Sequence, residues 1–576
     1  MTHGNVPGRI RLSWQRPLRA GLLSLLLLLA PEAGAQQSVH WTAPAGETVR
    51  QTDAALSALA RQLLEGSDAD DLTPMQRSQL LLMAGQHTEA SAAIAALMQS
   101  LRSEGTESQA QRWTPYLLLA QSGNPAELGF DRAYAAAFAA RFAALDDVSA
   151  LKTHYWFTTN LPAAQTKLDA ALAAHANSAS LTREQALDVI RQAAFIETFR
   201  VAARLAPDLI RADEDRRFEI DDSVRIPATD GVVLSAHVAR PRNSASPPPA
   251  AMLFTIYTDP ARNRTQAALT AAHGYVGVVV DARGKRLGTG TAVPYETEGV
   301  DAAAAVDWIS RQPWTDGRVV MYGGSYSGFS AWAAAKHAPP ALKAIAPYVA
   351  AIPGLGLPME NNVFLSANYA WPFYVANNRL LDNDTYNQRE RWNELTERWY
   401  ASGRPYRQID QVDGTPNPWL QRWLAHPDYD GYWQAMVPYG DDFARIRIPV
   451  LSITGYYDDG QIVTLYELQK DGRVMQLSYY VGRASYASDM TKRHLLTPGQ
   501  WTGIPLQRTR MTGRRLAEGS RLLVVVDVLK DAEHQVNHGT GKDVSDESVA
   551  DAGAPLRIEW SAESVLRVPL RAASTQ

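Results

Sequence analysis

The sequence predicts an α/β fold on a largely parallel sheet, and three observations predict it. Short continuous apolar runs, "AMLFTI" (251–256) and "VGVVV" (276–280), are separated by helix-forming sequence, as expected of strands buried on both faces. The alternation then continues through a helix near 298–310, the strand "RVVMY", a helix after Ser325, the strand "AIAPYVA" and "PVLSITG" (449–455). Strand and helix in turn mean a doubly wound α/β domain. Finally, "RVVMYGGSYSGFSAWAAAKHAPP" (318–340) runs from a strand through a glycine-flanked serine straight into an alanine-rich helix.

At 576 residues the chain is too long for a single core, so several folded units are expected. The N-terminus carries Arg9, Arg11, Arg16 and Arg19, then "AGLLSLLLLLA" (20–30), then "PEAGA" ending at Ala35. That order is a secretory signal peptide with cleavage after Ala35, since the apolar run falls short of the ~20 residues that span a bilayer. A secreted or periplasmic mature protein is the expectation. There is no cysteine, so lipoprotein anchors, disulfides and thiolate metal sites are excluded. With a formal net charge of −4, there is no electrostatic case for nucleic acid or an anionic membrane as partner.

Residues 42–210 read as an all-α N-terminal region. "DAALSALARQLLEG" and "TREQALDVIRQAAFIETFRVAARL" have helical spacing, with breaks at Gly66, Gly85 and "SGNP" (122–125). Strand grammar begins near Phe218, where "DSVRIPATDGVVLSAHVARP" alternates about the Asp230-Gly231 turn as a hairpin does. An insertion at 354–446 is rich in tryptophan and tyrosine, as in "YAWPFYV" and "RWNELTERWY". Lying between two sheet strands, it stands where a helical cap over a site would be built. From 462 to 576 the strands turn antiparallel in style, with a hairpin at Lys470 to Gly472, giving a C-terminal β module.

A serine between strand and helix with glycine two places before it is the nucleophile-elbow arrangement. The turn strains the serine, and only small neighbours let strand and helix approach. Here the residues are Gly323, Gly324, Ser325, Tyr326, Ser327 and Gly328, and the N–H of Tyr326 would face an oxyanion. Asp281 and Arg283, at the carboxyl end of a strand, read as an ion pair holding a loop. "NHGTGKDVSDES" (537–548) is acidic but lacks the spacing of a calcium loop, and no metal site can be argued.

"GGSYSG" resembles the GxSYxG motif of the serine hydrolases that include the Xaa-Pro dipeptidyl-peptidases (peptidase family S15), cocaine esterase and the α-amino-acid ester hydrolases. "VVVDARGKRLGTG" and "DWISRQPWTDGRVVMYGGSYSG" resemble that family's approach to the elbow. The likeness runs from about 218 to 460 and returns around "GSRLLVVVDV" and "NHGTGKDVSDESVADAGAPLRIEW". It implies an α/β-hydrolase domain over 216–460 with a helical cap insertion, followed by a shortened β-sandwich, jelly-roll-like module over 462–576. It further implies Ser325 as nucleophile, Tyr257 in "TIYTDP" as second oxyanion donor beside Tyr326, and a triad aspartate in "ITGYYDDG" at Asp458, with Asp459 the alternative. Substrates would be small peptides with a penultimate proline, or amino-acid esters and amides, and no cofactor is called for.

The resemblance leaves the base unassigned. In this fold the order is serine, acid, histidine, and after Asp458 stand only His494, His534 and His538. Only "DGQ" separates Asp458 from the strand beginning near Ile462, whereas a parallel crossover needs about 10–12 residues or more. The last βα unit is absent from that junction, and with it the family's place for the histidine. His494 lies 36 positions beyond Asp458 in a basic setting, "TKRHLL", which makes it a poor base. Two expectations follow: an acyl-transferring serine hydrolase, or a pseudoenzyme that keeps the pocket and binds peptides or acyl compounds without turnover.

Overall fold

The computed structural model describes residues 38–42, 49–123, 129–453, 463–505, 515–526 and 530–553, with 528, 559, 561, 564 and 565. Two compact units emerge: Met1–Thr106 with Leu119–Ala126 and Thr159–Val201, and Glu107–Leu118 with Glu127–Thr158 and Ala202–Gln576. The signal peptide, Asp458 and Asp459 lie outside the described residues.

In the first unit, helices Val49–Glu65, Pro74–Met83, Leu161–Ala174 and the start of Arg183–Arg217 bury Leu56, Leu59, Leu80, Leu168, Val189 and Ile190 in one core. The second of them starts at a capping box, in which Thr73 accepts from the Gln76 N–H and the Gln76 side chain accepts from the Thr73 N–H, with Pro74 at the first position. The all-α expectation needs one correction. Strands β1 (Ser38–His40) and β2 (Ser180–Thr182) form an antiparallel ribbon, where Leu181 is buried and Trp41 donates to the His175 carbonyl. Two three-residue strands leave too little alternation to be read in sequence.

In the second unit, β3 (Phe218–Pro227) and β4 (Val233–Pro241) are the expected hairpin, turning at Thr229–Gly231 with Asp230 at φ 55°. β5 (Ala250–Thr255), β6 (Val276–Asp281), β7 (Val319–Gly324) and β8 (Leu342–Tyr348) complete a six-stranded sheet ordered β3-β4-β6-β5-β7-β8. β6-β5-β7-β8 are parallel, while β3 and β4 add antiparallel neighbours on one side. Helices Pro260–Ala272, Glu298–Ser310 and Tyr326–Lys336 connect the parallel strands. Contact is close: a Cβ on Gly277 of β6 would stand 2.0 Å from the Ala267 carbonyl oxygen. Every residue of β6 is buried, as its continuous apolar run requires.

Beyond β8 the chain at 449–453 continues the sheet. Parallel bridges join Ile345 to Val450 and Tyr348 to Ile453, and Leu451 N–H donates to the Ile345 carbonyl. In this stretch Leu451 is 61% and Ile453 51% exposed. It is the outermost strand among the described residues, and an edge position leaves apolar side chains uncovered.

The helix Arg183–Arg217 runs through Pro207, past the boundary expected near 210. Proline removes one ladder bond, but the last turn is held from outside. The Arg217 guanidinium donates to Asp213 (2.8 Å), Asp147 (2.6 Å) and the Leu145 carbonyl (3.1 Å).

The insertion is helical, with Trp371–Ala376, Arg389–Ser402, Pro418–Leu424 and Gly431–Met436 as its main pieces. Near its start lies the small hairpin β9 (Met359–Glu360) and β10 (Val363–Phe364). After it, β11 (Val463–Leu468), β12 (Val474–Tyr480) and β13 (Arg521–Val526) form an antiparallel sheet ordered β12-β11-β13.

Candidate active site

β5 and β7 are adjacent in the sheet, but the connections leaving them run to opposite sides, β5 to β6 and β7 to β8. The strand order therefore reverses between their carboxyl ends, the place where open α/β sheets open a crevice for ligands. Tyr257 follows β5 there and Ser325 follows β7.

Ser325 sits at φ 53°, ψ −119° and is exposed. A non-glycine residue in that conformation is strained and persists only when its surroundings over-determine it. Ser325 N–H donates to the Tyr348 carbonyl (3.1 Å), and the Ser325 carbonyl accepts from Phe329 (3.0 Å) and Ala351 (3.0 Å). Small neighbours are obligatory. A Cβ on Gly323 would meet Ser327 Cβ at 2.5 Å, and one on Gly328 would meet the Gly323 carbonyl oxygen at 3.0 Å. Tyr326 opens the helix, so its N–H has no intrahelical acceptor.

The Tyr257 phenol accepts from Trp371 Nε1 at 3.2 Å, and the Ser325 side chain is among the groups close enough to act on its pKa. An indole N–H only donates, so the phenol oxygen is the acceptor in this bond and the phenol keeps its own proton to give. Burial pushes the Tyr257 pKa up, so the phenol stays protonated. The Tyr257 loop is braced from behind. Asn263 Nδ2 donates to the Tyr257 carbonyl (3.2 Å) and to Asp281 (3.2 Å), and Asp281 also accepts from Ser235 (2.8 Å) and Arg286 (2.7 Å). The expected Asp281–Arg283 pair is thus corrected. Arg283 turns instead to Asp301 (2.7 Å) and Asp230 (3.2 Å), and Arg286, at φ 44°, folds back onto Asp281.

Behind Ser325 lies an aromatic cluster. Tyr326 packs against Tyr257 and Tyr295, with ring centroids 6.1 and 5.1 Å apart, and Tyr295 stacks on Trp371 (5.5 Å). The buried Tyr326 phenol donates to Glu298 and accepts from the Tyr295 N–H at 3.0 Å. Glu298 begins its helix and is fully buried, which pushes its pKa up to about 7. Sequence reasoning missed Trp371, Glu298 and Lys285. The one signal for Glu298 was an acidic residue opening a helix; Trp371 was one tryptophan among many in the insertion. Lys285, inside "DARGKR", donates to the carbonyls of Val375 (2.8 Å), Asn378 and Leu380 (3.3 Å), and burial pulls its pKa down to about 8.

Apart from His3, every histidine lies in the described residues. No hydrogen bond among these residues joins a histidine to Ser325. His494 is exposed, with Nε2 3.9 Å from Asp489; His534 Nδ1 is 2.7 Å from Asp531; the His538 N–H donates to Glu547 (2.6 Å). That same Glu547 accepts from the Thr540 N–H and hydroxyl, so the acidic loop 537–548 is tied to itself.

Residues 230–482 match the family model described as X-Pro dipeptidyl-peptidase (S15 family). The chain is similar to the cocaine esterase of Rhodococcus sp. (strain MB1 Bresler), 27% identical over 259 residues that make up 42% of this chain and 45% of that protein. Among solved structures it is similar to an α-amino acid ester hydrolase, with 22% identity, TM-score 0.34 and coverage of 42% of this chain and 43% of that one. An aminopeptidase from a marine sediment Thaumarchaeota archaeon gives 22% identity, TM-score 0.31 and coverage of 41% and 43%. The chain spans less than half the length of the curated relatives it matches. The segment 230–482, which carries the elbow and its approach, therefore has the likeness to family S15 and cocaine esterase that its motifs indicate.

Proposed function

We propose that this chain is a serine hydrolase that transfers acyl groups through an ester on Ser325. The observation that carries this reading is the strained, exposed Ser325 at the carboxyl edge of the sheet, with the Tyr257 phenol beside it. Ser325 Oγ attacks the carbonyl carbon of an ester or amide. The carbonyl oxygen takes up the negative charge and is met by the Tyr257 O–H and the Tyr326 N–H, donors fixed before reaction begins. The Ser325 hydroxyl proton passes to the leaving group as its bond to the acyl carbon breaks, and water then resolves the acyl-enzyme, returning a proton to Ser325 Oγ. Asp458 orients the base in this scheme. The match to the S15 model favours peptides with a penultimate proline or amino-acid esters and amides as substrates. The helical insertion, which supplies Trp371 to Tyr257, would cap the acyl pocket. The leader supports export to the periplasm or beyond.

A second reading rests on the histidines. With none hydrogen-bonded to Ser325 among the described residues, the site would hold peptides or acyl compounds and keep only oxyanion stabilisation, a residual of roughly 10³–10⁴ over water. Hydrolysis of Ala-Pro 4-nitroanilide and of amino-acid 4-nitrophenyl esters separates the two. Turnover that disappears in Ser325→Ala supports the hydrolase; saturable binding without turnover supports the binding protein.

A further inference from the structure

The strain at Ser325 raises the question of what holds the first turn of its helix. Main-chain bonds from Tyr348, Phe329 and Ala351 fix Ser325 itself. Tyr326, whose N–H is the proposed oxyanion donor, is fixed through its side chain. Its phenol lies buried, donating to one oxygen of Glu298 and accepting from the Tyr295 N–H. This pairing is directional. A main-chain N–H cannot accept, so the phenol proton must go to the carboxylate. Tyr295 is held at φ 77°, a conformation that a bulky residue adopts only under constraint. Its ring is clamped between Tyr326 and Trp371, and its strained backbone aims the N–H at the Tyr326 oxygen.

The other oxygen of Glu298 accepts from the Thr297 N–H at 3.2 Å. The carboxylate stands at the N-terminus of Glu298–Ser310, where the helix dipole favours negative charge. The ionisable groups around it are Tyr326, Tyr295 and Asp301, the last of these paired with Arg283. No substrate reaches Glu298, since it is buried behind the ring it holds. A buried carboxylate is expensive to keep without partners, and its partners here all belong to the elbow or to the turn that faces it.

We propose that Glu298 is a positioning residue: by anchoring the Tyr326 phenol it fixes the Tyr326 main-chain N–H toward the oxyanion. The inference rests on the hydrolase reading. Because a misplacement of about 1 Å at a reacting centre costs roughly a hundredfold, loosening this anchor acts on kcat rather than on substrate affinity.

The test uses the full mature chain and 4-nitrophenyl acetate, comparing wild type, Tyr326→Phe, Glu298→Gln and the double variant, each with a thermal melt. Tyr326→Phe keeps the ring volume and the main-chain N–H and removes only the hydroxyl. The expected result is a fall in kcat of roughly ten- to a hundredfold with KM within about twofold. The double variant should lose no more than the worse single one, because both act through one hydrogen bond. Cooperatively melting variants with kcat within about twofold of wild type overturn the proposal and leave the hydrolase reading standing. So does a loss of kcat that only tracks loss of cooperative melting in both single variants. A wild type that never turns over overturns both.

Discussion

Tyr257 shows what one side chain contributes at the site. Its phenol receives the Trp371 indole N–H and lies beside Ser325, and on the proposed reading its proton meets the oxyanion. Tyr257→Phe keeps the ring contacts with Tyr326 and Trp371 and removes only this donor. Losing one oxyanion donor costs about 10²–10³ in kcat; that decrease, with an unchanged melting temperature, is the expected outcome of steady-state kinetics. An effect below about threefold would remove Tyr257 from the oxyanion site. Ser325 and Tyr326 were legible in the sequence because the elbow demands small residues at fixed offsets around them. Tyr257 came from the family's strand-end tyrosine. Glu298 and Trp371 were not legible, because their partners lie 28 and 114 positions away and nothing in local spacing marks such a pairing.

The strands that carry the site were legible as elements. The runs at β5, β6 and β7 are apolar without alternation, the pattern of strands covered on both faces, and each ends where a loop residue faces the crevice. Less visible was the way the insertion is tied to the sheet. Lys285, just past β6, caps the carbonyl end of Trp371–Ala376 through Val375, Asn378 and Leu380, and the same helix delivers the indole to Tyr257. Lys285→Met leaves these carbonyls without their donor, at about 1–3 kcal/mol of stability. It should lower the melting temperature and also reduce kcat/KM through the displaced Trp371. A variant that melts lower with kinetic constants unchanged would show that the insertion is tied to the sheet but does not tune the site. The edge stretch 449–453 was legible as a strand, but its exposure was not. Its apolar run suited a covered strand, and whether a neighbour covers it is a property of the sheet rather than of the run.

Across the whole molecule the two units carry different kinds of information. The helical unit buries its own leucine-rich core and shows no chemistry in its sequence. The α/β unit gathers the exposed strained serine, the phenol and the buried carboxylate where, among the described strands, its strand order reverses. The long helix reaching Arg217, with its guanidinium shared among Asp213, Asp147 and the Leu145 carbonyl, could not be bounded from sequence, since Asp147 and Leu145 come from a segment 70 and 72 positions away. The central claim is that Ser325 is an activated nucleophile, and chemical labelling tests it most directly. Protein from Gln36 onward, treated with a fluorophosphonate and digested, should carry the adduct on the peptide containing Ser325, and Ser325→Ala should carry none. Folded wild type that takes up no label would contradict the claim and leave a site that binds without reacting.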